Sequence, residues 1–224
     1  MRERQYNQNC PIAVGLDVLG ERWTLLILRE LLGGARRYSD LRAELPGIAT
    51  NLLAERLREL EDTGVVSRVE LPAPASRTVY QLTDRGWQLI PPILRSVAMF
   101  GLDRLPVPDD TAAVSPLNGF LAGILMVFDS GRAGNLAATY EVRVDGRLFR
   151  FAVSDGHLAE GRGEPQVTIT ASAADLVVWR RSPDPKTRSA VASRILIEGN
   201  QRAVARFCTL FALPNPSDVP TCTG

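Results

Sequence analysis

The chain has 224 residues, 45% of them hydrophobic and 23% charged, which is the balance of a globular protein long enough for one large or two ordinary domains. No run of about 18 apolar residues occurs, which excludes a membrane-spanning helix, and the polar opening MRERQYNQNCPIAVG lacks the apolar stretch of a secretory signal. The formal net charge is +1, with 14 cations against 13 acids in residues 1–105 and 12 of each in residues 106–224, so charge neither separates the halves nor decides for or against a nucleic-acid partner. Cys10, Cys208 and Cys222 lie too far apart for a disulfide framework or a metal cluster. No cofactor or metal is expected, and a reducing cytoplasm is the expected compartment.

In chain order, GERWTLLILRELLGG reads as a helix, because Trp23, Ile27, Leu28 and Leu31 follow the helical period and Gly33-Gly34 stop it. RYSDLRAELPGIA gives a short helix with Ser39 as its cap, Leu41 and Leu45 inward and Pro46-Gly47 at its end. In PGIATNLLAERLRELEDTGVVSR the helix runs from about Thr50 to Thr63. Leu53, Leu57 and Leu60 share one face, and Asn51, Ala54, Glu55 and Arg58 lie opposite. Two short helices joined by a tight glycine-containing turn make a helix-turn-helix candidate. VVSRVEL and TVYQL, joined by PAPASR, read as a β-hairpin wing. TDRGWQLIPPILRSVAMFGLDRL reads as a helix capped by Thr83, with Pro91-Pro92 expected to bend or interrupt it. PIAVGLDVL and WQLIPPILRSVAMFG carry more apolar surface than so small a domain needs, which makes Ile12, Leu16, Leu19, Ile93, Val97 and Phe100 candidates for a dimer interface. PVPDDTAAVSP, residues 106–116, reads as a linker between a domain of residues 1–105 and one of residues 117–224.

The run NCPIAVGLDVLGERWTLLILRELLGGARRYSDLRAELPGIATNLLAERLRELEDTGVVSR, followed by RTVYQLTDRGWQL, resembles the HxlR-type winged helix-turn-helix regulators. The shared features come in order: Cys-Pro near the start, Gly-x-Arg-Trp, Arg-Tyr-x-x-Leu, Leu-x-x-Leu-x-x-x-Gly and Tyr-x-Leu-Thr after the wing. The resemblance covers about the first hundred residues and implies a homodimeric, sequence-specific transcription factor on an inverted repeat of double-stranded DNA. The leucine seam would pack inward and the opposite face would enter the major groove, about 12 Å wide. Thr50, Asn51, Ala54, Glu55 and Arg58 would reach the bases, Arg36 and Arg37 the backbone, and Arg77 a phosphate or minor groove. The chain departs from the family in opening this helix with Ala49-Thr50-Asn51 rather than a Ser-Pro-like pair and a basic residue, which implies a weaker cap. Cys10 stands where some such regulators sense oxidants; its other reading is a small packed residue at the dimer interface.

The second half begins with an apolar helix, SPLNGFLAGILMVFD, in which Leu121, Ile124, Leu125 and Phe128 share a face. Alternating strands follow, broken at Asp145-Gly146 and Asp155-Gly156, both hairpin signals. SAADLVVWRRS reads as a helix capped by Ser172, SRILIEGN as a strand and QRAVARFCTLFAL as a closing amphipathic helix. The expected class is α+β with an antiparallel sheet. YEVRVDGRLFRFAVSDG, VTITASAADLVVWRRS and ILIEGNQRAVARFCTLF are similar to sterol carrier protein-like domains, over about residues 115–213. That similarity implies an apolar pocket for a small-molecule effector, lined by Phe128, Tyr140, Phe149, Phe151, Val153, Leu176, Trp179, Phe207, Leu210 and Phe211; the alternative is that they fill a solid core.

An enzyme is not expected. Ser154, Asp155 and His157 adjoin in SDGH, but a triad needs an oriented base, and a surface hairpin explains them. The alternative to a regulator is a lipid-handling or hydrolase-like protein whose winged domain serves dimerisation only.

Overall fold

The structure, a computed structural model, describes residues 5–74, 77–102, 104 and 114–213. It divides into two compact units, Met1–Ile90 and Pro91–Gly224. The division falls inside one helix, and most of the expected linker, residues 106–113, lies outside the described residues.

The first unit contains α1 (Pro11–Leu19), α2 (Thr24–Leu32), α3 (Tyr38–Glu44), α4 (Thr50–Asp62), β1 (Val66–Leu71), β2 (Arg77–Leu82) and the start of α5 (Asp84–Leu102). Ile27, Leu28 and Leu31 of α2, Leu41 and Leu45 around α3, and Leu53, Leu57 and Leu60 of α4 form one buried core. Each fully buried leucine contributes about 1.5–3 kcal/mol of transfer free energy. β1 and β2 pair antiparallel as the wing, and Arg36 adds a bridge to Tyr80. Thr83 caps α5 as expected, its Oγ1 accepting from the Gly86 amide at 3.0 Å. The same hydroxyl donates to the Gly64 carbonyl at 2.7 Å, tying α5 to the end of α4.

Three local expectations fail here. Trp23, expected on the helical period, stands just before α2 with a φ of 79°. The cap of α3 is Arg37, whose amide donates to Asp40, because the helix starts one residue before Ser39. Helix α5 runs through Pro91-Pro92 without interruption. The prolines remove two amide donors, but their fixed φ is helical, and the apolar stripe continues across them.

The second unit has α6 (Pro116–Gly123), β3 (Ala138–Val144), β4 (Arg147–Ser154), β5 (His157–Glu160), β6 (Val167–Ala171), α7 (Ala173–Arg181), α8 (Pro185–Ala192), β7 (Leu196–Gly199) and α9 (Gln201–Phe211). Both Asp-Gly pairs have positive φ at each residue, as two-residue hairpin turns require (Asp145 47°, Gly146 81°, Asp155 49°, Gly156 78°). The sheet order is β5-β4-β3-β6-β7. The sheet is mixed rather than antiparallel: β3 and β6 pair in parallel, with Val142 opposite Ile169. Alternation along a strand sets which face is buried and carries no information on the direction of its neighbour, which is why the antiparallel expectation fails at this pair. The apolar helix expected through Phe128 stops at Gly123 and gives way to a 3-10 turn at Leu125–Val127.

Helices α6 and α7 approach closely at two glycines. A Cβ on Gly119 would stand 2.5 Å from the Ala173 Cα, and one on Gly123 would stand 2.6 Å from the Leu176 Cβ. Gly119→Ala is therefore expected to destabilise the second unit by about 1–3 kcal/mol. Gly15→Ala, at a helical glycine with nothing within 4 Å of the added carbon, should be neutral or gain about 0.5–1 kcal/mol. Equal denaturation midpoints for the two variants would contradict the close packing.

The pocket residues expected from sequence lie in the core, apart from the half-buried Trp179. Their rings press on one another: Phe120 stacks on Phe149 at 4.4 Å, Phe207 lies 4.6 Å from Phe211, and Tyr140 touches Phe151, Phe207 and Phe211. Burial pushes the Tyr140 hydroxyl up to about 12. On the opposite face of β3, Glu141 accepts from Arg143 and Arg150. Burial alone would raise its pKa, but the two guanidinium groups outweigh that and hold the carboxyl below its usual range.

Candidate nucleic-acid interface

The turn into α4 is set by Gly47, whose φ of 92° favours a residue without a side chain. Ala49 caps α4 with no side-chain hydrogen bond, so the weak cap read from Ala49-Thr50-Asn51 is present. The start of the helix is held instead by the Tyr38 hydroxyl, which donates to the Thr50 carbonyl at 2.6 Å and so joins the first turns of α3 and α4.

Behind the leucine seam, Thr50, Asn51, Ala54, Glu55 and Arg58 are all exposed. Arg37 is exposed at the start of α3, 3.7 Å from the Asp40 carboxylate. Arg77 is exposed at the first position of β2, beside the wing tip. Arg36 is placed differently. Its backbone pairs both ways with Tyr80, and its half-buried guanidinium donates back to the Gly33 carbonyl at 3.3 Å. Beneath it Glu30 is only 1% exposed; burial raises its pKa, against the pull of Arg29.

Sequence reasoning missed Arg56. It is a buried cation on α4, within ion-pair distance of Glu21, Glu55 and Glu59. The available signal was an arginine inside the apolar stripe, three residues after Leu53 and four before Leu60.

The other chemistry-bearing residues do not converge. Ser154 donates to Asp155 at 3.2 Å, and His157 is exposed across the turn, so Asp155 does not orient the imidazole as a triad requires. Cys10 is half-buried at the N-cap position of α1, and Cys208 is buried on α9; Cys222 lies outside the described residues. Among the described residues no group of three or more His, Cys, Asp or Glu side chains is placed to hold a metal ion. None of the described helices is long and apolar enough to cross a membrane.

The family described as HxlR-like helix-turn-helix matches residues 18–106. A Bacillus subtilis (strain 168) protein named "Uncharacterized HTH-type transcriptional regulator YvaP" is 42% identical over 86 residues, which is 38% of this chain and 80% of that protein. The chain belongs to the HxlR-like helix-turn-helix family. A Synechocystis protein, "Uncharacterized HTH-type transcriptional regulator sll1512", is 42% identical over 96 residues, covering 43% of this chain and 70% of its own length. "HTH-type transcriptional regulator YodB" of Bacillus subtilis is 37% identical over 84 residues, covering 37% of this chain and 75% of its own. The HxlR-like match takes in α2, α3, α4, the wing and α5, and ends before the sheet of the second unit.

Proposed function

We propose that the chain is a homodimeric transcriptional regulator that binds an inverted repeat of double-stranded DNA with α4 as its reading helix. The observation that carries this is α4 itself: a fully buried leucine seam on one side and an exposed Thr50, Asn51, Ala54, Glu55 and Arg58 on the other. Asn51 offers a bidentate pair to adenine, Glu55 an acceptor for cytosine N4 and Arg58 a fork for guanine. The uncapped amides at the start of α4 suit a phosphate, and Arg37 and Arg77 hold the flanking backbone. Arg36, turned toward Gly33, serves the wing more than the DNA.

Selection from a randomised duplex pool tests this reading. A two-fold symmetric sequence is expected, with half-sites about one helical turn or a multiple apart. Arg58→Ala should lose about 1–3 kcal/mol against that sequence and relax preference at one base, whereas Arg77→Ala should weaken all duplexes alike and lower the salt slope by about one. An asymmetric footprint would contradict the dimer, and Arg58→Ala with unchanged preference would remove it from the reading face.

Residues 1–105 form the DNA-binding and dimerisation domain in this reading, and residues 117–224 a sterol carrier protein-like domain that takes an apolar effector between sheet and helices. An effector there has to part rings that now press on one another, so binding and opening of the core go together. DNA affinity of the full chain with and without hydrophobic host extracts separates an effector domain from a structural brace. Loss of all duplex binding would favour the lipid-handling alternative.

A further inference from the structure

Position 56 lies on the seam of α4, between Leu53 and Leu60, where an apolar residue would pack without the cost of desolvating an ion. It holds an arginine that is 8% exposed. The guanidinium is 3.2 Å from the Glu21 carboxylate and 3.8 Å from that of Glu55, and it donates to Glu59. Glu59 and Glu55 belong to α4 itself. Glu21 does not: it sits in the α1–α2 turn, two residues before Trp23. That turn is held tightly. Trp23 has a φ of 79°, a left-handed conformation that a bulky residue keeps only where its surroundings impose it. Its indole lies against Gly47, with a ring atom 3.8 Å from where a Cβ would stand. The α1–α2 turn therefore meets the reading helix twice, through Trp23 at the turn leading into it and through Glu21 on its second turn.

We propose that Arg56 is a positioning residue for base readout. Through Glu21 it sets the pitch and rotation of α4 on the α1–α2 turn, and through Glu55 it restrains a carboxylate of the reading face. The inference rests on α4 being the DNA-contacting helix. The hydrogen bond to Glu59 fixes the orientation of the guanidinium on α4, and the ion pair to Glu21 ties that oriented group to the α1–α2 turn in addition to the leucine packing. Bidentate base contacts depend on the orientation of the helix that carries them.

Electrostatics alone makes the opposite prediction for one variant. Arg56 is a single cation among three carboxylates, so Glu21→Gln lowers the negative charge beside the DNA and, on charge alone, tightens binding to every duplex. On the positioning role the same variant weakens binding to the preferred duplex. The experiment takes the duplex selected by the unaltered full-length chain and a scrambled one of equal length, and measures both affinities at several salt concentrations together with thermal melting. Glu21→Gln is expected to lose about tenfold against the selected duplex, to hold or gain against the scrambled one, and to keep its salt slope and melting temperature. Arg56→Lys, which keeps the charge and loses the fork, should lose discrimination likewise. If Glu21→Gln keeps the ratio of the two affinities, or if both affinities fall together with the melting temperature, Arg56 only holds the fold and the proposal is overturned. If the unaltered chain enriches no sequence at all, the reading of α4 itself fails, and this inference with it.

Discussion

Arg180→Ala is expected to destabilise the second unit by about 3 kcal/mol or more, because several carbonyls lose a charged donor worth about 1.5–3 kcal/mol per bond. Arg180 lies in the last turn of α7 and donates to the Gly123 carbonyl at 2.9 and 2.7 Å, to the Ala212 carbonyl at 2.8 Å and to the Phe211 carbonyl. One guanidinium thus serves the C-terminal ends of both α6 and α9, where carbonyls lack partners within their own helix and the helix dipole favours a cation. Burial lowers its pKa to about 10, so it stays charged at neutral pH. Arg180→Lys should recover less than half of the loss, since an ammonium is a point donor and cannot span two helix ends. Hydrogen exchange read segment by segment checks this: amides of α6 and α9 should lose protection while those of α2 and α4 keep theirs. Unchanged protection in α6 and α9 would mean that water replaces the guanidinium without cost.

What the sequence disclosed and what it hid follow from the range of the forces involved. Leu53, Leu57 and Leu60 announce the buried side of α4 because helical spacing alone puts them on one face, and Asp145-Gly146 and Asp155-Gly156 announce their turns because few residues accept positive φ. Ser172, read as a cap, holds α7 through a contact three residues along the chain, which is also a local matter. The parallel pairing of β3 with β6, the seats of Arg180 and Arg56, and the close approach at Gly119 depend on residues tens of positions apart. Helix α8 escaped notice because PKTRSAVA is mostly polar and exposed, with Val191 and Ala192 its buried residues; Asp184 starts it by accepting from the Lys186 and Thr187 amides. The α4 positions proposed to read bases were legible as lying opposite the leucine seam, and they are exposed. The ion pairs that steady that helix were not, because Glu21 and Arg56 are separated by two helices in sequence.

Charged substitutions on two exposed apolar faces are expected to abolish the proposed dimer, and most of the DNA affinity with it. On α1, Ala13 is the one buried residue, while Ile12 is 72%, Val14 60% and Leu16 44% exposed. In the second unit, the C-terminal half of α5 exposes Val97, Met99 and Phe100, the last at 67%, with the Arg104 guanidinium 4.1 Å from its ring centre. Leu19 and Ile93, named with them from sequence, are half-buried. In the proposed dimer these two faces are the surfaces that a second copy would cover. Because Leu16 and Phe100 touch water rather than core, Leu16→Glu and Phe100→Glu should cost the folded monomer within about 0.5 kcal/mol. Each should nevertheless sediment as a monomer. A monomer reaches one half-site instead of two and forfeits the second set of contacts, a loss on the order of 100-fold or more against an inverted repeat. Binding to a single half-site should be unaffected. An intact dimer in both variants would refute this placement of the interface, and monomers with undiminished affinity for the inverted repeat would show that one copy suffices for recognition.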